Sequence, residues 1–122
     1  MASAAPRTMA KRTLTIVIPA YNAEATLGDC LAAIAASERQ PDELILYDDG
    51  STDGTGDMAR AAGAVVLRND GPPRGPAVGR NAGVAIAKSE LIIFVDADVS
   101  IHPTALDRLE EAFVYDPKIS AA

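Results

Sequence analysis

Apolar runs alternate along the chain with amphipathic stretches, and this alternation predicts strands separated by helices. The runs, which are rich in branched residues, occupy residues 14–18, 44–47, 64–67 and 91–95, and the last of them has no polar interruption. Such runs are typical of strands buried on both faces of a parallel sheet. Because strand–helix–strand units connect in a right-handed sense, the predicted fold class is α/β, a Rossmann-like parallel sheet with helices on both faces.

Two helices are predicted in the first half of the chain. The first starts near Thr26 and carries an apolar stripe with i, i+3, i+4, i+7 spacing. The members of this stripe are Leu27, Cys30, Leu31 and Ile34. The second helix is capped by either Ser51 or Asp53 and ends at Gly63, a plausible C-cap. Cys30 lies within the apolar stripe, so we interpret it as a core residue and not as a nucleophile.

Glycine and proline shape the second half of the chain. Residues 69–79 contain so many helix breakers that we expect a loop there. A helix of small residues follows at 80–87, and a last helix begins at Pro103 or Thr104. The predicted buried face of that last helix consists of Leu106, Leu109 and Phe113. Residues 118–122 are expected to begin a further strand.

Acidic residues directly follow two of the predicted strands. Asp96 and Asp98 come after the fourth strand, where side chains two residues apart share a face. Two neighbouring carboxylates favour a divalent cation, and hard oxygen ligands suit Mg²⁺ or Mn²⁺. The alternative is a solvated turn, since Asp is a common turn residue. Residues 19–24 and 48–53 follow the first two strands. All three segments are therefore expected to meet beyond the carboxyl ends of the strands, where parallel sheets bind ligands.

Composition restricts the possible partners. The 122 residues fit one domain, and 11 basic against 17 acidic side chains give a net charge of −6, so we expect no nucleic-acid partner. No run of about 18 apolar residues is present, so no transmembrane segment is expected. The single Cys30 excludes an internal disulfide and is typical of a reducing compartment, which favours a cytoplasmic location, or one peripheral to the membrane in a longer parent. His102, the single histidine, is interpreted as the start of a helix, with metal binding as the alternative.

Four motifs resemble those of glycosyltransferase family 2, the nucleotide-sugar transferases with the GT-A fold. They are VIPAYNAE at 17–24, DDGSTDGT at 48–55, GPAVGRNAG at 75–83 and FVDAD at 94–98. They occur in the family's order and spacing. The resemblance implies a flexible tail at 1–12 and, at 13–122, the nucleotide-sugar-binding part of a truncated GT-A domain whose acceptor part is absent. The family's catalytic base lies beyond the D-x-D motif, so the catalytic residues are unknown and we expect this chain to be inactive alone.

The resemblance also implies roles for individual residues. The nucleotide-sugar-binding set is Pro19, Ala20, Tyr21, Glu24, Asp49, Gly50, Ser51, Arg80, Asp96, Ala97 and Asp98. Tyr21 would stack on the base, an interaction worth about 1–3 kcal/mol in nucleic-acid systems. Asp49 would accept a hydrogen bond from a uracil ring N–H, although Asp48 is not firmly separated from it by sequence.

The D-x-D motif of the family implies a metal site. Asp98 would ligate Mn²⁺ or Mg²⁺, and Asp96 would approach the sugar and help to hold the cation, which neutralises the leaving diphosphate. Arg80 would either bind the diphosphate through its forked donors or brace the site by a salt bridge to Asp96. Many relatives have Ala where this chain has Gly79, a change expected to loosen the helix start slightly.

The expected ligand is a nucleotide-diphosphate sugar, with a UDP-sugar favoured, and the acceptor is unknown. A sheet that ends before its remaining strands would expose an apolar edge, so a homodimer through that edge is a further prediction. Two alternatives remain from sequence. One is a non-catalytic nucleotide-binding or interaction module. The other is a haloacid-dehalogenase-like phosphatase, in which residues 96–100 (DADVS) would be the nucleophile loop and Asp96 would attack phosphate.

Overall fold

The computed structural model describes residues 12–109. In chain order the elements are β1 (Leu14–Ala20), α1 (Glu24–Ala35), β2 (Glu43–Asp48), α2 (Thr55–Ala61), β3 (Val65–Arg68), α3 (Pro76–Ile86) and β4 (Leu91–Phe94). The four strands are parallel and lie in the order β3-β2-β1-β4. This architecture confirms the predicted α/β fold. The predicted tail up to residue 11, Phe113 and the strand at 118–122 lie outside the described residues.

Alternate residues of β1 face opposite sides of the sheet, and both sides are covered. The face that packs against α1 contributes Leu14, Ile16, Ile18 and Ala20 to the main core. On the other face, Val17 and Pro19 lie directly under α3, whose glycines Gly79 and Gly83 approach them closely. All seven residues of β1 are buried, which explains why the run contains so few polar residues. Cys30 is a fully buried free thiol in the same core, as predicted.

β1 continues through Pro19 to Ala20, two residues beyond the run predicted at 14–18. The Val17 carbonyl accepts from Val95, so odd-numbered residues of β1 direct their backbone groups toward β4. The pairing of β1 with β4 ends at Val17 and Phe94. Pro19 therefore lies beyond the end of its neighbour on that side, where a missing N–H breaks no ladder hydrogen bond.

The third helix begins earlier than predicted, at Pro76 within the segment expected to be a loop. Proline is well accommodated in the first turn of a helix, where its missing N–H has no intrahelical partner to lose. The expected loosening of the helix start by Gly79 stays a prediction, and the structure gives this glycine a packing role in addition. A β-carbon there would lie 2.9 Å from Tyr47 Cδ2 and 3.1 Å from Pro19 Cβ, so glycine allows α3 to pack closely on the sheet.

Smaller differences affect the ends of other elements. The first helix starts at Glu24 because the Ala23 carbonyl accepts the N–H groups of Thr26 and Leu27. The second helix ends as predicted, with Gly63 at φ +89°. The last helix includes residues 105–109, with Leu106 buried but Leu109 41% exposed, so the predicted buried face is wrong at Leu109.

The strand that carries the D-x-D motif lies at an edge. Within residues 12–109, β4 pairs only with β1, although its apolar sequence suggested a central position. Ile92, Ile93 and Phe94 are accordingly only partly buried. A homodimer through this edge stays a prediction. No helix in the described part of the chain is long and apolar enough to cross a membrane.

Candidate functional site

A cavity of about 230 Å³ lies where β1 and β2 end, beside the start of α3. Its walls are formed by Pro19, Ala20, Tyr21, Tyr47, Asp49, Gly75 and Pro76. Four of the sequence-predicted site residues therefore line one cavity. Most of the wall is apolar, and Asp49 supplies its charge. Pockets for drug-sized ligands usually measure about 300–1,000 Å³, so this cavity suits one part of a larger ligand.

The carboxylate of Asp49 is held by the loop that precedes α3. Asn69 Nδ2 donates to Oδ1 at 2.9 Å, the Gly75 N–H donates to Oδ2 at 2.8 Å, and the Arg74 N–H is shared between both oxygens at 3.0 Å. Burial opposes ionisation, but these hydrogen bonds outweigh it and lower the pKa of Asp49. An ionised carboxylate accepts about four hydrogen bonds. These three donors make two contacts with each oxygen and fix the carboxylate in the wall of the cavity.

Asp48, the neighbouring acid, faces the opposite side of the sheet and braces the protein. It is 1% exposed. Its Oδ1 accepts the Ser51 N–H at 2.8 Å, and its Oδ2 pairs with Arg68 Nη1 at 2.7 Å. Side chains of adjacent residues at a strand end point to opposite faces, so one of these two acids reaches the cavity and the other does not.

Three further predicted residues surround the cavity without lining it. The Ser51 hydroxyl accepts the Asn22 N–H at 2.8 Å, and Glu24 Oε1 accepts the Gly54 N–H at 2.6 Å. Gly50 has φ +90°, and a β-carbon there would lie 2.9 Å from the Gly71 carbonyl oxygen. The two hydrogen bonds tie the region after β1 to the loop after β2, and Gly50 packs against the loop after β3. The predicted nucleotide contacts of Glu24, Gly50 and Ser51 stay predictions.

The D-x-D residues form a turn, so the prediction that Asp96 and Asp98 share a face of an extended strand is wrong. β4 ends at Phe94, and the Val99 N–H donates to the Asp96 carbonyl at 3.0 Å. Residues of α1 hold the turn from the core side. Thr26 Oγ1 donates to the Ala97 carbonyl at 3.1 Å, and the Cys30 thiol contacts the Asp96 carbonyl at 3.7 Å.

The carboxylates of this turn influence two neighbouring side chains, the thiol of Cys30 and the guanidinium of Arg80. Burial, followed by the negative charges of Asp98 and Asp96, raises the pKa of Cys30 to about 11. Arg80 Nη2 lies 3.8 Å from Asp96 Oδ1, a loose and partly exposed ion pair. That pair is the bracing contact considered from sequence, and it places Arg80 beside the acidic turn.

Asp98, the metal ligand that the family resemblance implies, is an exposed residue of this turn. Within residues 12–109, it makes no hydrogen bond or ion pair. In the same part of the chain, no three His, Cys, Asp or Glu side chains converge into a ready metal cage. Mg²⁺ is commonly held by one or two carboxylates together with substrate phosphates, and the pair Asp96 and Asp98 fits that donor set. His102 Nδ1 accepts the Thr104 N–H at 3.2 Å just before the last helix, as expected for a residue at a helix start, and metal binding by His102 stays an untested alternative.

A larger hollow, of about 340 Å³, lies at the amino ends of the strands, where β2 begins. It is bounded by the end of α1, the region after α2 and the start of β2, and it contains none of the predicted site residues. Ligands of parallel α/β sheets bind beyond the carboxyl ends of the strands, not the amino ends. Of these two hollows, the smaller cavity is therefore the candidate functional site.

Sequence reasoning missed several residues of the site. Tyr47 was counted only as the end of an apolar strand, yet it stands two residues before Asp49 and so shares its face. Asn69 directly follows β3, at the same edge as the other predicted segments. Thr26 and Cys30 gave no such signal, because their contacts with the acidic turn depend on how α1 packs on the sheet.

Comparisons with known proteins agree on one family. A family model described as glycosyl transferase family 2 matches residues 15–122. The undecaprenyl-phosphate 4-deoxy-4-formamido-L-arabinose transferase of Aeromonas hydrophila is 38% identical over 111 residues, which cover 83% of this chain and 33% of that protein. The chain thus spans about a third of the length of that curated relative.

Solved structures show the same fold. Staphylococcus aureus TarS 1–349 in complex with UDP-GlcNAc has a TM-score of 0.74 and 25% identity, covering 84% of this chain and 31% of that one. Glucosyl-3-phosphoglycerate synthase from Mycobacterium tuberculosis, in complex with Mn²⁺, UDP and glucosyl-3-phosphoglycerate, has a TM-score of 0.64 and 32% identity, covering 83% and 39%. The match to the family decides against the phosphatase interpretation of residues 96–100. The chain belongs to glycosyl transferase family 2.

Proposed function

We propose that this chain is the donor-binding part of a glycosyltransferase and binds a nucleotide-diphosphate sugar, with a UDP-sugar favoured, together with Mn²⁺ or Mg²⁺. One observation carries the proposal. The cavity formed by Pro19, Ala20, Tyr21 and Asp49 lies at the same edge of the sheet as the acidic turn and Arg80. A nucleotide sugar needs these three elements next to one another: an apolar wall for the base, a cation for the diphosphate and a cationic side chain.

The base would occupy the 230 Å³ cavity. Tyr21, which is 50% exposed, offers a ring face on which a base can stack. Because Asp49 is ionised, it only accepts hydrogen bonds, so it selects a base whose edge donates an N–H. Uracil has such a group at N3, whereas cytosine has an acceptor at N3 and donates only from its exocyclic N4 amino group. If Asp49 faces N3 of the base, it therefore favours uracil over cytosine.

The diphosphate would lie toward the acidic turn. Asp98 and Asp96 would hold the divalent cation together with phosphate oxygens, and when bound the cation would offset the negative charge that develops on the departing diphosphate. Arg80 is within reach of the same region, and its fork suits phosphate oxygens. The relatives whose structures contain UDP-GlcNAc, or UDP with Mn²⁺, support this choice of ligand and cation.

A calorimetric titration of UDP, with and without MnCl₂, tests the proposal on the 122-residue chain. We expect Mn²⁺ to increase UDP affinity in the wild type, and Asp98→Asn to remove about tenfold or more of that gain. Asp29→Asn is the matched control, because it removes the same charge from an exposed residue of α1 that makes no hydrogen bond or ion pair within residues 12–109. Absence of UDP binding by a chain with native circular dichroism would refute the proposal.

A further inference from the structure

Tyr47 forms part of the wall of the proposed nucleotide cavity, although nothing in the motifs marks it as a site residue. It is the cross-strand partner of Pro19 in the register of β1 and β2, and both residues line the cavity. Tyr47 is only 7% exposed, so its ring is packed and not free to swing. Because Asp49 lies two residues further on and lines the same cavity, the Tyr47 ring and the Asp49 carboxylate face the same bound group.

Gly79 provides the space for this ring. A β-carbon at position 79 would lie 2.9 Å from Tyr47 Cδ2 and 3.2 Å from Tyr47 Cγ. Pro19 Cβ, at 3.1 Å, blocks the other side of the same space. Carbon atoms make favourable contacts at about 3.5–4.0 Å, so alanine here would force either the ring or α3 to move. Tyr47 and Gly79 are therefore a coupled large–small pair.

We propose that Tyr47 is a specificity-determining residue whose ring, held against Gly79, restricts the cavity to a single-ring base. This inference rests on the proposed binding of a nucleotide sugar. Asp49 accepts from any base edge that donates an N–H, and the purines present such groups as well as the pyrimidines. Asp49 alone thus leaves guanine as a possible ligand. The packed Tyr47 ring closes the cavity on the side of the sheet and removes the room that a second ring requires.

Base selectivity is the readout that a purely structural role for Tyr47 would not change. UDP and GDP, each with MnCl₂, are titrated into the wild type, Tyr47→Val and Ile45→Val. Ile45→Val is the matched control, because Ile45 is fully buried on the same face of β2 but does not line the cavity. We expect wild type and Ile45→Val to prefer UDP equally, and Tyr47→Val to reduce the UDP-to-GDP preference about tenfold. Should Tyr47→Val fail to fold, Tyr47→Leu retains more buried surface and is expected to shift the preference in the same direction.

The coupling between the two residues is tested by a double-mutant cycle on UDP affinity. We expect Gly79→Ala to weaken UDP binding about tenfold when Tyr47 is present, and to weaken it less in Tyr47→Val, which removes the 2.9 Å contact with Cδ2 but leaves that with Pro19 Cβ. Additive effects, or an unchanged UDP-to-GDP preference in a folded Tyr47 variant that still binds UDP, would overturn this inference and leave the proposed function intact. Failure of the wild type to bind either nucleotide would overturn both.

Discussion

Gly83 and Gly28 are both helical glycines, yet the structure predicts opposite effects when each is replaced by alanine. A β-carbon at Gly83 would lie 2.4 Å from Val17 Cγ1 and 2.9 Å from Val17 Cγ2. Carbon atoms pack favourably at about 3.5–4.0 Å, so the added methyl would overlap Val17 by about 1 Å. Val17 is fully buried, and its branched side chain has few alternative rotamers. The strain would therefore push α3 away from β1.

The magnitude follows from two opposing terms. Replacing glycine by alanine inside a helix gains about 1 kcal/mol, whereas overpacking a core costs about 1–3 kcal/mol. Since the overlap at Gly83 is large, we expect Gly83→Ala to lower the free energy of unfolding by about 1–2 kcal/mol. At Gly28 the nearest heavy atom is Met58 Cε at 3.6 Å, an ordinary contact. Gly28→Ala should therefore keep the helix gain and raise the free energy of unfolding by about 0.5–1 kcal/mol.

Urea unfolding followed by far-ultraviolet circular dichroism measures both effects, and thermal midpoints should move by roughly 4–8 °C per kcal/mol for a domain of this size. Val17→Ala creates room for the methyl, so Gly83→Ala should cost less in that background than in the wild type. The close packing of α3 on the sheet, which also forms the wall of the cavity, depends on this contact. Stabilisation by Gly83→Ala equal to that of Gly28→Ala would refute the reasoning.

Three further outcomes are expected. Arg68→Met deprives the buried Asp48 carboxylate of its ion pair and should lower the free energy of unfolding more than Arg60→Met does, which removes only a surface pair. Equal effects in urea unfolding would contradict that difference. Because the folded pKa of Asp49 is depressed below the ordinary 3.8, its ionised form stabilises the fold above that pH, and the contribution is lost as the pH falls through the folded pKa. Asp49→Asn should therefore flatten the acid limb of a stability–pH curve, and an unchanged limb would oppose this account. The Cys30 thiol, with its pKa raised to about 11, should react with a disulfide reagent at pH 8 only upon unfolding, so rapid labelling of the native chain would be contrary to it.

The sheet was predictable because burial on both faces demands apolar runs, and those runs are present at all four strands. The ends of the elements were not predictable to the same degree. Whether Pro19 ends a strand depends on whether a neighbour continues beside it, and β4 does not. Whether Pro76 breaks or begins a helix depends on the turn that precedes it, since proline is suited to the first helical turn.

The site shows the same division between local pattern and packing. The parallel topology predicted that acidic and loop residues would lie together at the carboxyl ends of the strands. The distinction between Asp48 and Asp49 required the position of α3, because adjacent residues face opposite sides and only α3 defines the side of the cavity. Tyr47 was missed because an aromatic residue that ends an apolar strand is usually core. The geometry of the acidic turn depends on the end of β4 at Phe94 and on contacts with α1. The local sequence pattern encodes neither of these features.

The location of the nucleotide is the most direct test of the account. On the ¹⁵N-labelled chain, UDP with Mg²⁺ should shift the amide resonances of Tyr21, Asp49 and Gly75, which line the cavity. Replacing Mg²⁺ by Mn²⁺ should then broaden the resonances around Asp98 through paramagnetic relaxation. Changes in amide resonances confined to Leu31, Leu44 and Gly63, at the amino ends of the strands, would contradict the assignment of the site.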